Sequence, residues 1–119
     1  MTKLLTVSAL LSLTLTGAIF GFFYAWVCST MWGLDAADPG LAIGAMQAMN
    51  ASVRNMVFAP AFFGTPLVLL LTAGLAQSQA QRRAAGLFAA AAAVYLIGGL
   101  GLTMMVNVPM NDSLALLQV

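Results

Sequence analysis

Residues 4–34, LLTVSALLSLTLTGAIFGFFYAWVCSTMWGL, carry no charged side chain between Lys3 and Asp35. As a helix this run is about 45 Å long, against a bilayer hydrocarbon core of about 30 Å, so it predicts a first span that tilts or extends into the interface. A cleaved signal peptide would share the leading lysine. The apolar run, however, goes on through IFGFFYAWVCSTMW, beyond the 7–15 residues of a typical signal-peptide core, and predicts a retained helix. Two further apolar runs follow, on either side of AQSQAQRR. Between the first and second spans, Asp38-Pro39-Gly40 reads as a helix start, with Asp38 as cap and Pro39 at the first helical position. The residues after it alternate with helical period: Met46, Met49, Val53 and Met56 on one face, Gln47, Asn50 and Arg54 on another.

The predicted architecture is therefore an all-α integral membrane bundle of three transmembrane helices plus an outer amphipathic helix. Residues 1–119 form one transmembrane domain, with helices at about 4–33, 39–58, 60–77 and 84–106. Composition fits lipid as solvent: 62% of residues are hydrophobic, 6% are charged, and the mean hydropathy is +1.00. A soluble domain carries about a quarter of its residues charged. A net charge of +1 gives no nucleic-acid footprint. The absence of histidine and the lone Cys28 remove the usual metal ligands, the usual general base and any internal disulfide.

Lys3, Arg82 and Arg83 fall on one side of the predicted spans, and Arg54, Asp35, Asp38 and Asp112 on the other. Positive residues favour the cytoplasmic face. The expected setting is a bacterial inner membrane, with the N-terminus and the 77–83 loop cytoplasmic and residues 107–119 outside. Thr14, Gly17, Gly21, Ala25 and Cys28 form a small-residue stripe on the first helix, and the third is rich in alanine and glycine. Small residues let backbones approach, so the first and third helices are expected to meet, at Gly21 and Gly99 among others. Ser8, Ser12 and Thr16 are expected to bond back to carbonyls of their own helix. Pro60 and Pro66 interrupt the second helix, and carbonyls freed in lipid need a donor from elsewhere.

The strongly polar groups converge on the outer level. Gln47, Asn50, Asn107, Asn111 and Asp112 are the candidate catalytic residues, and Arg54, Trp26, Trp32 and Phe62 the candidate ligand contacts. Amides suit oriented hydrogen bonding, and Pro109 fixes the backbone where Asn107 and Asn111 emerge. These amides are expected to turn back toward Gln47 and Asn50; the alternative is that they solvate the outer surface. Thioethers bind Cu(I), which makes Met46, Met49, Met104 and Met105, with Cys28 nearby, a conceivable copper cluster. Methionine is more often adaptable filler, and no metal or other cofactor is expected.

AMQAMN (45–50), FAPAFFGTPL (58–67) and VYLIGGLGLTMMVNVPMNDSLA (94–115), following a glycine-bearing first helix, resemble the anthrone oxygenase-like membrane family. On this resemblance Gln47, Asn50, Pro60, Gly64, Asn107, Pro109 and Asn111 match the family's recurrent residues. The resemblance implies a four-helix membrane bundle, so that a fourth helix would follow Val119. It also implies oxidation of an anthrone to an anthraquinone by O2 without metal or organic cofactor, on a flat aromatic or other hydrophobic substrate. The competing expectation is a non-catalytic accessory or scaffolding subunit. In either case the partners expected are the lipid bilayer and a second copy or a larger membrane complex.

Overall fold

The computed structural model describes residues 2–119 and contains four helices: α1 Lys3–Asp35, α2 Pro39–Ser52, α3 Phe58–Ser78 and α4 Arg82–Ala115. Three of them, α1, α3 and α4, are long and apolar enough to cross a membrane. The protein is an integral membrane helical bundle with α2 as its outer, non-spanning helix. It measures 57 × 23 × 23 Å, elongated as helices longer than the hydrocarbon core require.

The three spans form a row, with α3 in the middle. It packs against α1 on one side and the first half of α4 on the other, while the backbones of α1 and α4 do not come close to one another among the described residues. The expected packing of the first against the third helix is therefore not what the chain does. Nothing but lipid-facing space lies within 4 Å of a side chain built at Gly17 or Gly21, and at Gly99 such a side chain would meet only the Tyr95 ring. The face of α1 that packs is the one carrying Leu5, Ser8, Ser12 and Ile19. Ser8 bonds to the Leu5 carbonyl of its own helix, as expected. Ser12 instead crosses to α3, where its hydroxyl lies 2.9 Å from that of Thr72, both fully buried. A hydroxyl pair shielded from lipid ties two helices that gain no hydrophobic force from meeting in a bilayer.

One end of the row is tightly closed. Leu5, Ala76 and Ala85 pack together there, with Leu75 and Ala84 against them. Thr2 and Gln79 exchange two hydrogen bonds, the Thr2 N–H donating at 3.1 Å and the Gln79 amide at 2.7 Å. The turn from α3 to α4 is a Schellman motif: the N–H of Gln81 donates to the Ala76 carbonyl and that of Ala80 to the Gln77 carbonyl. Ala80 adopts φ 60, the left-handed conformation usually left to glycine.

At the other end the row splays. Pro60 lies in the first turn of α3, where a missing N–H has no intrahelical partner to lose, so it does not interrupt the helix as the sequence suggests. Pro66 does lie inside. It cannot bond the carbonyl of Phe62, four residues back, and the hydroxyl of Tyr95 on α4 donates to that carbonyl at 2.6 Å. Beyond Tyr95, α4 winds through two π segments, Tyr95–Gly101 and Thr103–Asn107. A side chain on Gly101 would come within 2.9 Å of the Leu96 carbonyl oxygen, so only glycine fits there. The expected exit near 106 gives way to helix through Ala115. Pro109 follows a π turn and so begins a fresh α segment, where its absent donor is least costly.

The outer helix α2 starts as expected, with the Asp38 carboxylate accepting from the N–H groups of Gly40 and Leu41. It ends at Ser52 rather than near 58, because Asn55 turns the corner. The Asn55 side-chain oxygen accepts from the N–H groups of Val57 and Phe58, and its amide donates to the Ser52 carbonyl. That corner hangs α2 across the splayed end of the bundle.

Candidate functional site

Under α2, between the diverging outer halves of the spans, lies a cavity of about 830 Å3. Its body is aromatic. Phe22, Phe23 and Trp26 come from α1 and Phe58, Phe62 and Phe63 from the start of α3. The rings touch one another, with Phe58 and Phe62 stacked at 5.2 Å and Phe22 tilted against Phe58 at 4.9 Å. Such offset and edge contacts hold the rings in place. Tyr95 supports this wall from beneath, 6.2 Å from the Phe62 ring.

The outer rim is polar. Asn50 and Arg54 reach it from α2 and the corner after it, and Asn107, Asn111 and Asp112 from α4. Helical continuity through Pro109 puts Asn107 and Asn111 one turn apart on one face, as i and i+4. They line the cavity beside Asn50, but among the described residues neither bonds to Gln47 or Asn50, so the expected closure of the outer end by these amides is not formed. Arg54 and Asp112 form an ion pair at 3.3 Å, with side chains 65% and 64% exposed, at the water-facing lip. The amide nitrogen of Asn50 is buried and has no hydrogen-bond partner among the described residues.

The candidates from the sequence separate into two groups. Asn50, Arg54, Asn107, Asn111, Asp112, Trp26 and Phe62 share the cavity wall. Gln47 and Trp32 do not. Gln47 donates through its amide to the carbonyls of both Leu114 and Leu117, at 2.9 Å each, and so caps the end of α4. Trp32 is 71% exposed, as an interfacial anchor would be. Met46, Met49 and Met104 line the cavity, but Met105 is 80% exposed and stands off the wall, and the Cys28 thiol reaches only the Ala25 carbonyl of its own helix. The four-methionine cluster with Cys28 is not assembled. Among the described residues no group of His, Cys, Asp and Glu is placed to hold a metal ion.

Sequence reasoning missed Phe22, Phe23, Phe58 and Phe63 as cavity walls, and Asn55 as the corner. The doublets Phe22-Phe23 and Phe62-Phe63 held the only signal: neighbours about 100° apart on a helix give it one broad aromatic side.

This chain was also compared with known proteins. Neither the curated proteins nor the solved structures give a match. The family model described as Anthrone oxygenase matches residues 46–118, more than half of the chain, and covers the second half of α2, all of α3 and α4, and every rim residue named above. The chain belongs to the anthrone oxygenase family.

Proposed function

We propose that this protein is a cofactor-independent oxygenase that oxidises a flat aromatic substrate of the anthrone class in the outer cavity. The observation that carries the reading is the aromatic chamber whose rim holds three amides, one of them an orphan donor, in a chain of this family. A buried donor without a partner costs about 1–3 kcal/mol, which an acceptor oxygen on an occupant would remove once the Asn50 side chain turns its amide into the cavity.

In this reading the tricyclic body lies against Phe22, Phe58 and Phe62, and its carbonyl oxygen meets the amides of Asn50, Asn107 and Asn111. Asp112, oriented by Arg54 beside those amides, takes the proton from the hydroxyl of the substrate's enol tautomer, which stands at the same polar edge. The negative charge on that oxygen is stabilised by the amide donors and is shared with the carbon opposite. The electron-rich carbon is what O2 attacks. One oxygen atom becomes the new carbonyl, and the other leaves with the two methylene hydrogens as water, so no external reductant is needed. With the protein in nanodiscs, Asp112→Asn should slow quinone formation by about 10²–10⁴-fold, as for loss of a general base. Asn107→Ala should slow it by about 10²–10³-fold, as for an oxyanion donor. Unchanged rates in both variants, with helicity retained, would remove the proposal.

The charge asymmetry supports a topology with Lys3, Arg82 and Arg83 cytoplasmic and the cavity opening outward, in a bacterial inner membrane. A second reading, a non-catalytic accessory or scaffolding subunit, draws on one observation: a side chain at Gly17 or Gly21 of α1 would meet nothing within 4 Å among the described residues. Such a face suits close approach by another membrane helix, from a second copy or a larger complex. Gentle purification separates the readings. A stoichiometric larger partner favours the subunit, and a lone species that turns over an anthrone favours the enzyme.

A further inference from the structure

A second cavity, of about 490 Å3, lies back to back with the first, on the other side of the aromatic partition. Its membrane-embedded end is formed by Ala18 and Ile19 of α1 and Ala61 of α3. Phe22, Trp26 and Phe58 line both cavities and, with Met49, Val53 and Asn55 toward the outer end, are the wall between them. No ionisable side chain lines the second cavity. It lacks the asparagine rim of the first, offering only Thr30, Ser52 and Asn55 at its outer end, and the Asn55 amide is already committed to the corner of α2. Nothing there recognises a charged or extended polar ligand.

We propose that this second cavity is the entry chamber for dioxygen. The inference rests on the oxygenase reading and names the route of its second substrate. A flat substrate seated in the first cavity has one face on the Phe22–Phe58 wall and its polar edge at the rim, so it blocks the water-facing mouth. Dioxygen is small, apolar and more soluble in hydrocarbon than in water. A chamber at the α1–α3 groove, one ring thick from the substrate face, takes it from the lipid, and a rotation of Phe22 or Phe58 admits it to the reacting carbon. With no metal expected to capture O2, such delivery sets where and how often it meets the substrate.

Trp26 supplies a readout that needs no turnover, because it touches both chambers. In a Trp32→Phe background, Trp26 is the one tryptophan, and collisional quenching of its fluorescence by O2 reports access. Ala18→Phe and Ala61→Leu fill the second cavity without lining the first, and Thr103→Phe does the reverse. The quenching constant should fall about twofold or more in Ala18→Phe and Ala61→Leu, because the path from the lipid is filled and only the water-facing mouth of the first cavity, where O2 is scarcer, still leads to Trp26; it should change little in Thr103→Phe. In turnover, the two filling variants should raise the KM for O2 several-fold while kcat at saturating O2 and the KM for the anthrone stay put. Ala18 is exposed to lipid, so Ala18→Phe is a variant expected to fold even where Ala61→Leu does not. Quenching that is unchanged in the filling variants, or that falls equally in Thr103→Phe, overturns the proposal. Wild-type protein that quenches as predicted yet never oxidises an anthrone would instead defeat the oxygenase reading.

Discussion

Tyr95→Phe removes one oxygen atom and isolates the carbonyl that Pro66 leaves without a backbone donor. The Phe62 carbonyl sits in the middle span, fully packed, with the Tyr95 hydroxyl at 2.6 Å. Loss of a partner from a buried polar group costs about 1–3 kcal/mol. Hydrogen bonds between transmembrane helices average about 0.6 kcal/mol and reach about 1.7, because the unfolded chain in lipid finds other partners. Here the proline defect persists in the separated helix, which offers the carbonyl no backbone substitute, so about 1–1.5 kcal/mol is expected, near the upper end of that range. The assay is reversible unfolding in mixed micelles, followed by far-UV circular dichroism. Pro66→Ala completes the cycle, because it restores an N–H that can bond Phe62 within α3. In that background the added cost of Tyr95→Phe should shrink to about 0.5 kcal/mol or less, the signature of two donors serving one acceptor. Equal costs in both backgrounds would show that the Tyr95 hydroxyl does not act through the Phe62 carbonyl and would refute the argument.

Ala80→Gly should stabilise the protein by about 0.5–1 kcal/mol in the same unfolding assay, because Ala80 holds a left-handed conformation in the α3–α4 turn and glycine adopts it freely. Gln47→Ala should loosen the end of α4, seen as faster amide exchange over residues 114–119, while anthrone oxidation falls far less than in Asn107→Ala, since Gln47 stands outside the cavity.

The spans were legible because each is long enough to cross a bilayer and too poor in charge to do anything else. The start of α2 was legible because Asp38-Pro39 is a local signal whose chemistry stays within four residues. Contacts between helices were not. The stripe through Gly17 and Gly21 and the face through Ser8 and Ser12 both carry small or weakly polar groups, and lipid accepts either. The hydroxyl of Thr72, sixty residues away from Ser12, decides which one packs. Pro60 and Pro66 look alike in sequence, yet position in the helix makes one harmless and the other a defect that recruits Tyr95. The segment NVPMNDS reads as an exit because proline and asparagine usually end helices. The π winding before it shifts the phase so that Pro109 starts a new segment, and no local pattern announces that shift. Of the site, the polar rim was visible as a set of amides at one level. The aromatic chamber was not, since phenylalanine is equally at home against lipid, and its assembly depends on the splay of α4 away from α3 beyond Tyr95.

The central claim is that the outer cavity oxidises an anthrone with O2 and this chain's own side chains. The most direct measurement is anthrone oxidation under isotopically labelled dioxygen, by protein in nanodiscs washed with a metal chelator, against protein-free nanodiscs. The account predicts quinone formation well above the protein-free rate, one labelled oxygen in each quinone, one O2 consumed per quinone, and no loss on chelation. A rate equal to that of empty nanodiscs, or activity that disappears with the chelator and returns with added metal, would contradict it.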